Sequence, residues 1–480
     1  MNSKNIVIAT VVILLLLTGC NDLFNDKFEK INTNPNDPVE VGPDLLLPQG
    51  IESAVDHYQG ASTGMEFGNL VVQYWARVAG TNQDRYIYSN SQFSGLWNDS
   101  YAGELMDFKK IIQLGQELDN PNYQAIGMIM TAWNFSLLTD SYGDIPYSEA
   151  LKGKDEEAIT KPVFDRQQAI YTDLTKQLDE AREIIVPGEH PVNGDILFDN
   201  DMMKWKKFAN SLRFRLLMRI SGKEEVSTEL QHLVDNEPMF TDNRDNAQLT
   251  YLSDPPNRHP FAELPSGRQN QFRMSRTLID YLDKLNDPRL EVFADTADAN
   301  GSLYVGVPNG LSPEAVGEID ISRTSRIGSF FRRPETPGVL MTLAELNFLK
   351  AEAAHRGFIS GSAEDYYEQG IAASLEQYGV SGLSAYLSQE EVVFDPSQAL
   401  QQIGNQKWIA LYGQGLEAWN EWRRTGYPDL KPSVANDNDD RIPVRMQYPF
   451  QLETTNKKHY EEVIGRQGEN SINTPVWWDQ

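Results

Sequence analysis

The chain has 480 residues, with 42 Lys and Arg against 69 Asp and Glu, a formal charge of −27. That acidity repels phosphate backbones and anionic lipid headgroups, which excludes nucleic acid as a partner and charge-driven adhesion to a membrane. A single cysteine excludes disulfides and Cys-based metal sites, and the length is ample for a large core.

In chain order, Lys4 precedes an apolar run from Ile6 to Leu17, followed by Leu17-Thr18-Gly19-Cys20. A short positive region, a short apolar core and small residues before a cleavage point describe a bacterial secretory signal. A cysteine directly after Leu-Thr-Gly narrows this to a lipoprotein signal, removed as residues 1–19 with Cys20 left as the acylated (palmitate-bearing) N-terminus. The run falls short of the roughly 20 apolar residues that span a bilayer, so acyl chains at Cys20 are expected to anchor the protein. Residues 20–43 read as a tether, because Asn34-Pro35-Asn36-Asp37-Pro38 blocks regular structure.

Residues 44–480 are expected to form one mainly α domain. Helical periodicity recurs at 66–79 (Leu70, Tyr74, Val78), 122–139 (Ile126, Ile129, Met130, Trp133), 201–220 (Trp205, Phe208, Leu212, Leu216) and 403–424 (Trp408, Leu411, Leu416, Trp419). Convincing alternating strands are few. Thr342–Arg356 and Ala363–Tyr378, separated by a Gly357–Gly361 break, have the form and length of a tetratricopeptide-like helix pair. Long polar stretches at 80–95, 187–200, 241–272, 295–335 and 426–480 carry too many aromatics for simple disorder.

Catalytic patterns are missing. No two of the six histidines stand at a metal-binding i, i+4 spacing, and no phosphate loop or G-x-S-x-G elbow occurs. No cofactor is expected, and the chain does not read as an enzyme. Asp140 and Asp144 form the one tempting carboxylate pair, with helix capping as the plainer reading. Asn436–Asp440 imitates the start of a calcium loop but lacks the later Glu, so a solvated turn is expected.

Aromatics mixed with amides and charges are the composition of a site that orients a ligand, sugar rings above all. The stretch from Gln73 to Asn98 has it, with Trp75, Arg85, Tyr86, Tyr88, Trp97 and Asn98 as candidate ligand residues. Trp75 and Trp97 have an equally good reading as core anchors, and of Tyr86 and Tyr88 one ring is expected to face solvent. Arg326, Phe330 and Phe331 lie in a second such loop, or in a turn packed on the body. Lys204, Lys206, Lys207, Arg213, Arg215 and Arg219 form a basic helix face, either salt-bridged or a docking face for an acidic partner.

Several segments together resemble the SusD/RagB family of nutrient-binding outer-membrane lipoproteins. They are Asn32–Asn36, Thr139-Asp140-Ser141-Tyr142-Gly143-Asp144-Ile145-Pro146-Tyr147 through Leu151, Trp205–Ile220, Pro337–Thr342 with Ala351-Glu352-Ala353, Gln406–Pro428, Ile442–Arg445 and Trp477-Trp478. The resemblance implies tetratricopeptide-like helix pairs as scaffold and long irregular loops on the ligand face. It implies a protein on the outer membrane, facing the cell exterior, that captures oligosaccharides or polysaccharide and delivers them to a SusC-like TonB-dependent β-barrel transporter. A peptide-binding member of the same importer class is the alternative, and a lipid-anchored glycoside hydrolase is a more distant one. The resemblance carries no catalytic or ligand residues over, so the candidates above rest on loop chemistry alone.

Overall fold

A computed structural model describes residues 41–89, 91–155, 157–297 and 303–480. The signal, Cys20 and nearly all of the tether lie outside the described residues. From Pro43 to Gln480 the chain forms one compact unit.

Eleven longer helices carry it: α1 (Pro43–Gln59), α2 (Leu105–Glu117), α3 (Pro121–Tyr142), α4 (Gln167–Ile184), α5 (Met202–Ile220), α6 (Ser227–Asn236), α7 (Leu343–His355), α8 (Ala363–Gln377), α9 (Ala399–Ala410), α10 (Gly415–Thr425) and α11 (Lys457–Gln467). Successive helices pack on one another, α2 on α3, α3 on α4 and α4 on α5, while α7 packs on α8, α9 and α5. The starts follow local chemistry. Asn120 and Asp201 accept backbone N–H groups of the first turns of α3 and α5, and Pro121 stands where no N–H is needed. Thr342 and Ser362 do the same for α7 and α8, so the expected helix pair is present with nearly the expected ends.

Only four short strands are described: β1 (Trp75–Arg77), β2 (Ala247–Leu249), β3 (Phe272–Met274) and β4 (Gly338–Met341). They form two antiparallel pairs, β1 with β3 and β2 with β4.

Two expected helices are different. Segment 66–79 is a π-helical stretch (Ala61–Gly68) running on through Asn69–Val71 and then into β1. The left-handed φ of 61° at Gln73 ends the helix, and pairing with β3 takes over. Segment 403–424 is α9 and α10, separated by a turn at Leu411–Gln414. Gly413 has φ 86°, a left-handed conformation that a residue without a side chain adopts freely.

The basic face of α5 turns inward along half its length. Arg215 forks onto Glu345 with two bonds of 2.6 Å. Arg219, with no exposed surface, donates to Glu417 and to Glu421, the latter at 2.6 Å. Lys407 and Arg424 also pair with Glu421, so α5, α7, α9 and α10 share one buried charge network. These arginines are therefore not a docking face. The pattern of cations was legible; the carboxylates that neutralise them come from other helices, Glu345 at a separation of 130 residues and Glu421 at 202.

Candidate functional site

Chain segments remote in sequence converge on a cavity of about 630 Å³. The end of α1, the π-helical stretch, β1, the loop before β2, the Ser329–Arg332 turn, the start of β4, the end of α8 and the α9–α10 turn all reach it.

One wall is aromatic. Tyr412 lies at its base, with Phe293 stacked on it at 4.2 Å and 17° and Phe331 edge-on at 4.7 Å. The Trp75 indole N–H donates to the Tyr412 hydroxyl at 3.0 Å, which fixes both rings. Phe330 and Tyr378, half-buried, continue the wall outward, 5.8 Å apart edge to face.

Amide side chains share the lining. Those of Asn243 and Asn246 are spent on the fold, with Ala373 and Leu343 as backbone partners. By contrast, Asn69 Oδ1, Gln377 Oε1 and Gln414 Oε1 are buried with no hydrogen-bond partner among the described residues. Most buried polar atoms in proteins are paired, so three unpaired amide oxygens on residues that line one cavity stand out.

Charge in the cavity is muted. Arg244 is held by both carboxylate oxygens of Asp242, at 2.8 and 2.9 Å. Burial pulls the His259 pKa down to about 4, so the ring is neutral at physiological pH, with Nδ1 accepting the Phe261 N–H.

Of the six residues favoured by loop composition, only Trp75 lines this cavity. Arg85 donates to the Ala435 carbonyl at 2.7 Å. Tyr86 is buried, its hydroxyl accepting the Ser433 N–H, and Tyr88 packs against Phe67 and Phe93. Neither of these rings turns to solvent as expected, because the left-handed φ of 62° at Tyr86 breaks the strand-like alternation. Trp97 is 6% exposed among Tyr101, Tyr142, Phe164 and Tyr448, and Asn98 is exposed beside it. The stretch Gln73–Asn98 thus does not form one site; its residues are distributed over three parts of the molecule. Phe330 and Phe331, from the second loop, do line the cavity.

Sequence reasoning missed Tyr378, Tyr412 and the three amides. Tyr378 followed by Gly379 was a visible helix end. Tyr412 reads as one more buried helix residue until the break at Gly413 is recognised.

The carboxylate pair is structural. Asp140 accepts from Tyr171, from Trp478 at 2.8 Å and faces Arg219; Asp144 accepts the Gln167 N–H at 2.8 Å and Arg466 at 2.6 Å. In Asn436–Asp440, Asn436 donates to Asp440 at 2.9 Å and Asn438 exchanges amide bonds with Asn473, at 2.9 and 2.7 Å.

Among known proteins, residues 35–449 match the SusD-like family described as starch-binding, associating with outer membrane. No curated protein matches. Among solved structures the chain is similar to a chitin-binding protein at 30% identity, covering 91% of this chain and 99% of that one, with a TM-score of 0.79. A SusD homologue from Bacteroides fragilis is 27% identical, with 92% and 100% covered and a TM-score of 0.78. A chitin-binding SusD homologue from Flavobacterium johnsoniae, 23% identical over 90% of this chain and 98% of that one, shares the fold at a TM-score of 0.78. With the family match running through most of its length, and a mainly helical, tetratricopeptide-like scaffold beneath it, the chain belongs to the SusD-like family.

Proposed function

We propose that this protein captures oligosaccharides or polysaccharide at the cell surface and delivers them to a TonB-dependent β-barrel transporter. In this reading Cys20 carries the acyl chains that hold it to the outer membrane, with residues 20–43 as a leash. Membership of an outer-membrane-associated, starch-binding family supports the setting. The single observation that carries the ligand class is the cavity, whose lining combines Trp75, Phe330, Phe331, Tyr378 and Tyr412 with three amides that have unpartnered oxygens. Sugar rings present C–H faces that pack on aromatic rings and hydroxyl edges that bond to amides, and the cavity offers one of each. A β-linked N-acetylated glycan is a first ligand to try, since a relative at 30% identity is a chitin-binding protein.

Binding without hydrolysis is part of the proposal. Asp140 and Asp144, the sequence's best carboxylate pair, are both committed to structural partners. Purified protein titrated with a panel of polysaccharides, oligosaccharides and peptides tests the reading. Saccharide binding with no release of reducing sugar is expected. Binding of peptides alone would move the protein to peptide capture, and reducing-sugar release abolished by one Asp or Glu substitution would make it a hydrolase.

A further inference from the structure

A second cavity, of about 650 Å³, shares no lining residue with the first. It lies between the helical segments around Trp97 and Asp107, the Pro146–Pro162 loop and the turn at Leu452–Asn456. Its volume is that of a small-ligand site, which runs from about 300 to 1,000 Å³.

Its lining is mixed in a particular way. Trp97, Tyr101, Met106 and Leu452 give it apolar walls, while Asp107, Lys154 and Asn456 bring polar groups to them. Asn456 is 5% exposed. Its Nδ2 donates to the Pro162 carbonyl at 2.7 Å, which fixes the amide. Its Oδ1 is consequently held in one place, buried, with no donor among the described residues. A buried acceptor is costly without a donor, and the described residues offer this carbonyl none. Burial and the neighbouring Glu104 push the Asp107 carboxyl above its usual range, as expected of an acid facing a partly dry space. An acyl chain would fill the apolar walls, and its carboxylate could meet Lys154, but it brings no donor for the Asn456 carbonyl. A pyranose ring satisfies both, with C–H faces on the walls and hydroxyls on the oxygens.

We propose that this cavity is a second carbohydrate site, taking another stretch of the polysaccharide held at the first. The inference rests on the glycan reading of the first cavity. Two sites on one molecule raise its affinity for a long chain that reaches both, and leave its affinity for a short one almost unchanged.

Ala102 and Gly153 line the cavity and are exposed. A Cβ at Gly153 would have only the Ile159 carbonyl within reach, at 3.9 Å, so bulk there is tolerated by the fold. The test uses the mature protein carrying Gly153→Trp or Ala102→Trp, with unchanged melting temperature as the control for folding. The probes are glycol chitin and soluble starch as long chains, their tetrasaccharides as short ligands, and decanoate as an acyl probe. Expected is a roughly tenfold loss of affinity for the long chain in both variants, with tetrasaccharide affinity kept. Residual long-chain binding by Phe330→Ala/Tyr378→Ala should disappear when Gly153→Trp is added. Long-chain affinity unchanged in both blocked variants overturns the proposal, as does decanoate binding that the blocks remove while glycan binding stays. Failure of the wild type to bind any saccharide is a different result, and removes the glycan reading itself.

Discussion

At the residue scale, the aromatic side chains divide by burial into those that hold the fold and those a ligand can reach. Trp75 and Trp97, the natural choices from sequence, are 4% and 6% exposed. Truncating Trp75 removes a ring that packs on Phe261 and Phe272 as well as its bond to Tyr412, so loss of stability of about 3–5 kcal/mol would obscure any effect on binding. Phe330 and Tyr378 are the better probes, being half-buried at the outer part of the wall. His259 offers a prediction in pH. Its folded pKa of about 4 lies below the ordinary value of 6.5, so between these values the unfolded chain binds more protons than the folded one. Stability therefore falls as pH drops through that window, by about 2 kcal/mol from pH 7 to pH 5 for this one group. Urea denaturation at the two pH values should show that difference shrinking in His259→Asn, which keeps an acceptor for the Phe261 N–H. An unchanged pH slope would mean that His259 does not contribute to it.

The cavity depends on how elements approach one another. α10 and the π-helical stretch meet backbone to backbone: a Cβ on Gly415 would lie 2.3 Å from the Asn69 nitrogen, and one on Gly68 2.8 Å from the Gly415 carbonyl carbon. This contact places Asn69 and Gln414 at the cavity. Gly415→Ala should cost about 1–3 kcal/mol by forcing the two segments apart, and weaken ligand binding at the same time. A thermal melt equal to that of the wild type would contradict the packing described. Legibility from sequence follows the same division. α3, α5 and the α7–α8 pair could be read because period and caps are local signals, written within 13 to 22 residues. The π-helical stretch could not, since it answers to a remote partner, α10, across the Gly68–Gly415 contact, and the α9–α10 break rests on Gly413 alone inside an unbroken apolar period. The same holds for the site. Loop composition pointed to Phe330 and Phe331 as well as Trp75, but Asn69, Gln377 and Gln414 look like ordinary helix-end amides until the fold leaves them unpaired.

At the scale of the whole molecule, a helical scaffold fixed by the buried network of Arg215, Arg219, Glu345, Glu417 and Glu421 holds a cavity in which Asp242 pairs with Arg244, His259 is neutral and Glu376 is the remaining charge. That suits capture of an uncharged polymer by a protein with net charge −27, in which the fold and not electrostatic attraction selects the ligand. The proposed anchor at Cys20 adds confinement: exchange to Ser should release the protein from the membrane fraction, and retention there would contradict a lipid attachment. The central claim is that the aromatic and amide-lined cavity binds glycan. Titration calorimetry of the wild type and of Phe330→Ala/Tyr378→Ala, with the saccharide that the wild type binds best, measures it directly. Loss of about 1 kcal/mol or more per truncated ring corresponds to at least a tenfold weaker affinity in the double variant, with its melting temperature near that of the wild type. Equal affinity in the two proteins would contradict the account.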